Sequence, residues 1–162
     1  MRQTLVICKP DAVERGLVGE ILSRFERKGL AVAALEHGVI ERDTAEQHYA
    51  EHAGKSFYAP LLEFITRSPS VVMVLEGPAD AGDDVFAVVR TLMGATNPAT
   101  AAPGTIRGDY GLSPTENLVH GSDSDASAQR EIGLFFPSLA QAGNTAHNGA
   151  AESAASISEV SG

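Results

Sequence analysis

Two rhythms of apolar and polar positions alternate along this chain. The continuous apolar runs from Thr4 to Lys9 and from Val71 to Leu75 predict strands covered on both faces, because a half-exposed strand would alternate with polar residues. Elsewhere the apolar positions recur every three or four residues. Leu17, Val18, Ile21, Leu22 and Phe25 predict a helix that stops at Arg27, Lys28 and Gly29, and Val85, Phe86, Val89, Leu92 and Met93 predict another behind Asp83 and Asp84. Pro10, with no N–H to give a ladder, marks the end of the first strand. Leu30 to Ile40 predicts a further strand, Asp43 with Glu46 three residues later predicts a capping box starting a helix that holds Tyr49, and Pro60 to Thr66 predicts another helical piece. Gly94 to Glu116 contains three prolines and no regular pattern, which predicts a long irregular loop of the functional kind. Asn117 to Gly121 then predicts a short strand and Asp125 to Phe135 a final helix. This order contains two βαβ-like halves and implies an α/β sandwich with helices on a small sheet.

Composition changes the picture at one end. From Ser138 the chain turns to Ala, Ser, Gly, Asn and Glu, which cannot offset their ordering entropy by burial. The expectation is one domain over residues 1–137 and a mostly disordered tail over 138–162. With 162 residues, such a domain buries enough apolar surface without disulfides or a structural metal. Cys8 is the only cysteine and reads as a buried strand thiol, and no apolar run approaches membrane-spanning length, so a cytoplasmic chain with no membrane partner is expected. The formal charge of −9 argues against nucleic acid as the main partner. A few convergent cations in a cleft still suffice for a small anion.

The candidate chemistry gathers between Arg90 and Asp123, a stretch holding Arg90, Thr96, Arg107, Asn117 and His120. No Gly-rich loop ending in Gly-Lys-Ser/Thr and no Gly-x-Gly-x-x-Gly is present, so phosphates would be held by side chains. Lys9 offers a point charge, Arg90 and Arg107 offer forks, and Thr96 and Asn117 add neutral hydrogen bonds. His120 is the candidate nucleophile, because an imidazole with a pKa of about 6.5 attacks phosphorus near neutrality without a separate base. A phosphoryl group on nitrogen also stays transferable. Glu131 is a candidate acceptor for the other ring nitrogen, with Ser122 assisting, and Asp123 for a water of a bound Mg²⁺. His37, His48, His52 and His147 lack such settings and read as structural or solvated, with no pair at zinc-ligand spacing.

Three segments, Lys9-Pro10-Asp11, the run from Pro103 to Asp109, and Asn117 to Asp123, closely resemble the nucleoside diphosphate kinase family over about Thr4 to Pro137. The resemblance implies a ferredoxin-like fold with a four-stranded antiparallel sheet covered by helices. It implies phosphoryl exchange between nucleoside tri- and diphosphates through a phosphohistidine on His120, with Mg²⁺ on the nucleotide. It assigns Phe57 as a stacking surface for the base, Tyr49 as a polar aromatic beside His120, and Glu131 as the partner of the ring. It further implies a homo-oligomer, tetramer or hexamer, with Pro98 and its loop as contact material. Departures are Ala12 for a usual Gly, Ser56 for a usual Pro, and a longer acidic stretch between Gly77 and Arg90. The alternative function is a nucleotide-binding regulatory module of the same fold with weakened transfer.

Overall fold

The computed structural model describes residues 2–82 and 84–141 of the chain. Met1, Asp83 and residues 142–162, His147 among them, lie outside the described residues, and with them most of the expected tail. Strands β1 (Gln3–Cys8), β2 (Ala31–Gly38), β3 (Ser70–Glu76) and β4 (Val119–Gly121) form one antiparallel sheet in the order β2-β3-β1-β4. Around it lie α1 (Pro10–Glu14), α2 (Val18–Arg27), α3 (Arg42–His48), α4 (Tyr58–Thr66), α5 (Val85–Met93), α6 (Ile106–Tyr110) and α7 (Asp125–Phe135). This is the ferredoxin-like arrangement, with β1 and β3 central.

Both faces of the sheet are covered, which explains the unbroken apolar runs of β1 and β3. Val6, Cys8, Val71, Met73 and Leu75 point to a core shared with Ile21 and Phe25 of α2 and Val85, Val89 and Met93 of α5. Leu5, Ile7, Val72 and Val74 point to the other core, against Ala45 of α3, Leu62 and Ile65 of α4, Ile132 of α7 and Phe136 just after it. His120 pairs with Ile7 across β1 and β4, so its ring belongs to this second face.

Several local expectations are corrected. Pro10 does end β1, but it also opens α1 at the first helical position, where its missing N–H is harmless. The capping box at Asp43 does not form: α3 is capped by Glu41 without a side-chain bond, Glu46 pairs with Arg42, and Tyr49 is the residue after the helix. The loop from Gly94 to Glu116 contains α6, capped by Thr105, whose hydroxyl accepts from the Gly108 amide. Pro98 is buried against Gly111 within the protomer, whereas Leu112 on the same loop is 90% exposed. Residues 137–141 are helical, and Leu139 packs on the second core.

Candidate active site

The site begins at a backbone irregularity. Leu118 has φ +74°, and the Val119 amide donates to the Asn117 carbonyl at 2.9 Å, so residues 117–119 form a γ-turn of the rare positive-φ kind. A β-carbon in that region costs of order 1–3 kcal/mol and persists only where surroundings hold it. Here four groups do so. The Asp11 carboxylate accepts from the Leu118 amide (3.1 Å), and the Lys9 amide donates to the Leu118 carbonyl (2.8 Å). Arg107 Nε donates to the Asn117 carbonyl (3.1 Å) and Nη2 to the Val119 carbonyl (2.6 Å). The turn resolves a parity problem in the sequence: Asn117 and His120 would point to opposite faces of a regular strand. Because β4 starts only at Val119, the two side chains are freed from that alternation.

Beyond the turn, His120 Nε2 lies 2.9 Å from Glu131 Oε1, and Ser122 Oγ donates to Glu131 Oε2 at 2.5 Å. Burial would raise the Glu131 carboxyl, but the hydrogen bonds from His120 and Ser122 outweigh it and hold it below the usual carboxylate range. An ionised Glu131 fixes the tautomer: Nε2 carries the proton and Nδ1 the lone pair. The His120 side chain is 24% exposed, opening into a cavity of about 440 Å³ that Tyr49, Arg90, Asp123 and Arg130 also line. Gly121 serves the opposite face of β4. A β-carbon there would meet Met93 Sδ at 2.6 Å and Val89 Cγ1 at 3.3 Å, so it lets α5 approach the opposite face of the strand.

A second cavity, of about 500 Å³, is lined by Lys9, Phe57, Leu61, Phe64, Thr96, Glu116 and Asn117 among others. Phe57 is 48% exposed there rather than in the core. Lys9 Nζ donates to Asn117 Oδ1 (2.8 Å) and Asn117 Nδ2 to the Thr96 carbonyl (2.9 Å). Arg90 donates to the Gly121 carbonyl (3.2 Å). Arg107 supports the backbone of the site. It is buried, its three nitrogens all donate to carbonyls, those of Gly94, Asn117 and Val119, and it lines neither cavity.

Electrostatics link the two halves. Burial, then the field of Arg90, pushes Arg107 down to about 10, while burial, then the field of Arg107, pushes Lys9 down to about 8 against the opposing pull of Asp11. Lys9, Arg107 and Arg90 thus form a run of cations that repel one another. An anion laid along it would relieve that repulsion. Asp123 is exposed beside His120, and its carboxyl is held low by Ser127, whose hydroxyl donates to it at 2.6 Å.

Sequence reasoning missed His48. Its ring is buried, packs edge-on against His120 (centroids 4.8 Å, 88°) and against Tyr49 (4.5 Å), and burial followed by the neighbouring His120 pushes it down to about 3, so it is neutral. Tyr49 therefore stacks on His48, which in turn meets the His120 ring. The available signal was position: Ala45 and His48 share the buried stripe of α3.

A ferredoxin-like sandwich carrying a carboxylate-oriented histidine beside converging cations defines a phosphotransferase site. The nucleoside diphosphate kinase family profile matches residues 2–140. Relatives named nucleoside diphosphate kinase include one from Nocardioides sp., 59% identical over 85% of this chain and 98% of its own length, and one from Thermobifida fusca, 54% identical over 86% and 100%. Among solved structures, a family protein from Babesia bovis superposes with TM-score 0.79 at 43% identity over 84% of this chain and 88% of its own. A halophilic nucleoside diphosphate kinase from Halobacterium salinarum, solved in complex with CDP, gives 0.77 at 47% identity over 83% and 86%. The chain belongs to the nucleoside diphosphate kinase family, and its activity is transfer of the terminal phosphoryl group from a nucleoside triphosphate to a nucleoside diphosphate.

Proposed function

We propose that His120 Nδ1 is the atom that carries the phosphoryl group between the two nucleotides. The observation that carries this reading is the relay Ser122–Glu131–His120, which leaves the lone pair on the ring nitrogen away from Glu131. In the first half-reaction Nδ1 attacks the terminal phosphorus, the P–N bond forms, and the bond to the bridging oxygen breaks with its electron pair going to the departing diphosphate. The ring becomes cationic with Nε2–H still donating to Glu131, whose negative charge stabilises it. A second nucleoside diphosphate reverses the steps. No proton moves in either direction.

Lys9 and Arg90 meet the nucleotide phosphates, with Asn117 and Thr96 beside them, and Arg107 contributes its field and holds the γ-turn. Phe57 and the apolar wall of its cavity take the base. A π-face common to all bases supports broad nucleotide use. Mg²⁺ fits as a phosphate-bound ion: Asp123 is one exposed carboxylate with one oxygen committed to Ser127, suited to hold a metal-bound water. The ion supplies charge neutralisation on the phosphates. A homo-oligomer in the cytoplasm is part of this reading, the oligomer supported by the exposed edge strand β2 with Leu35 at 44% and by Leu112. Among the described residues no helix is long and apolar enough to cross a membrane.

Incubation with γ-labelled ATP tests the central step. An acid-labile, base-stable label is expected on the wild type and absent from His120→Asn, and label that survives the substitution defeats the assignment. The intact relay gives no support to a weakened regulatory module.

A further inference from the structure

We propose that His48, His120 and Glu131 form a binding site for a borderline-soft divalent cation, Zn²⁺ fitting best, and that its occupation disables the nucleophile. One ligand atom from each residue lies within 4.8 Å of the others. Glu131 Oε1 is 2.9 Å from His120 Nε2 and 3.9 Å from His48 Nδ1, where neighbouring ligands of a tetrahedral zinc stand roughly 3.3 Å apart, as bonds of about 2.0 Å require.

The independent observation is His48 itself. It is 4% exposed, both its ring nitrogens lack a hydrogen-bond partner, and Nδ1 faces Glu131. Buried polar atoms are ordinarily paired, so this ring carries an unused lone pair beside two further donors. Two imidazoles and a carboxylate with an open fourth position toward the cavity suit zinc, whereas Mg²⁺ prefers an all-oxygen shell. Cations oppose it: Arg130 Nη2 lies 3.9 Å from Glu131 Oε1 on a half-exposed side chain that donates to the Gln47 carbonyl, Lys9 acts on His48 from further off, and Arg90 lines the same cavity.

The inhibitory consequence follows from the tautomer and rests on the reading of His120 as the phosphoryl carrier. A neutral imidazole has one lone-pair nitrogen. In the working state that is Nδ1. A metal on Nε2 requires the proton on Nδ1, taken from solvent as Nε2 loses its own, and the attacking lone pair is gone. Occupation and phosphorylation exclude each other without overlap in space.

Co²⁺ serves as a spectroscopic probe of binding. The full-length protein titrated with Co²⁺ should develop the intense visible bands of a tetrahedral site at one ion per chain, bleached by Zn²⁺ and unmoved by millimolar Mg²⁺. The bands should vanish in His48→Phe and in His120→Asn, each checked for native circular dichroism. If His48→Phe fails that check, His120→Asn decides alone. No tetrahedral band, or a band indifferent to these substitutions, overturns the site. Labelling by γ-labelled ATP at buffered free Zn²⁺ tests the consequence: wild type should lose at least tenfold of its label, and His48→Phe, measured against its own metal-free level, should need at least tenfold more Zn²⁺. Undiminished labelling of a metal-loaded wild type overturns the tautomer exclusion. Absence of label on His120 without metal sinks the carrier reading instead, leaving the Co²⁺ result to stand by itself.

Discussion

Replacing Lys9 by methionine should leave the fold standing while removing the activity. The Lys9 ammonium is almost wholly buried and titrates at about 8 instead of 10.5, a displacement worth about 3 kcal/mol against the folded state at neutral pH. Methionine has similar length and no charge. It abolishes that penalty but leaves Asn117 Oδ1 without its donor, which costs about 1–3 kcal/mol. The expected net effect lies between no change and a gain of about 2 kcal/mol. A buried cation matched to its surroundings would instead lose about 3–5 kcal/mol on truncation.

The sign of the pH dependence gives a second reading of the same quantity. Between pH 8 and 10.5 the unfolded chain binds the Lys9 proton that the fold has released, so wild-type stability from this group rises with pH over that window. Cys8, pushed up to about 12 by burial and then Asp11, acts oppositely above pH 9, but it does so in both proteins. Urea unfolding at pH 7.5 and pH 10 should therefore show wild type gaining about 2–3 kcal/mol relative to Lys9→Met. Coupled assay should find kcat/KM down about a hundredfold or more, the equivalent of about 3 kcal/mol of phosphate binding in the transition state. A loss of stability above about 2 kcal/mol at pH 7.5, or parallel pH profiles, would refute the picture of strained, mutually repelling cations.

Glu131→Gln keeps an acceptor for His120 Nε2–H but not its charge, so kcat should fall about tenfold to a hundredfold while nucleotide binding, read by calorimetry, holds. Because Glu131 is held below its free value, it stabilises the fold above pH 4.5 and that contribution is lost as pH falls through its lowered titration; urea unfolding of the variant should accordingly show a flatter acid limb. Arg107→Lys cannot reproduce a fork bonded to three carbonyls and should cost about 2–4 kcal/mol by denaturant unfolding, with larger losses of activity than of secondary structure. A β-carbon on Gly108 would stand 1.9 Å from the Ala102 carbonyl oxygen, so Gly108→Ala should lower Tm sharply, whereas Gly133→Ala in α7, with nothing within 4 Å, should raise it by the equivalent of about 0.5–1 kcal/mol.

The elements most legible in the sequence were those whose apolar rhythm is long and whose burial is simple. α7 at Asp125–Phe135 and α5 at Val85–Met93 follow their periodicity, and β3 is one apolar run because both its faces are covered. Short elements escaped: α1 and α6 have five residues each, too few for a period to show, and Pro10 carries two opposite meanings at a strand end and a helix start. In the site, His120, Ser122 and Glu131 were readable because one strand-to-helix unit holds all three within a sequence separation of 11. His48 was not, since α3 brings it from 72 residues away and no local pattern announces it. The carbonyl partners of Arg107 were hidden for a related reason. A guanidinium next to a loop reads as a ligand for phosphate, and only the backbone path shows that it also holds three carbonyls.

That guanidinium has a consequence for life before the ligand arrives. β4 is the terminal strand of the sheet, three residues long, and its outward carbonyl at Val119 would ordinarily recruit a passing chain. Arg107 occupies it and the carbonyl of Asn117 as well, standing in for an absent fifth strand. That cap removes an acceptor onto which another chain could add at the margin bearing the histidine, so a variant lacking it should self-associate more readily, as read by light scattering of the purified protein.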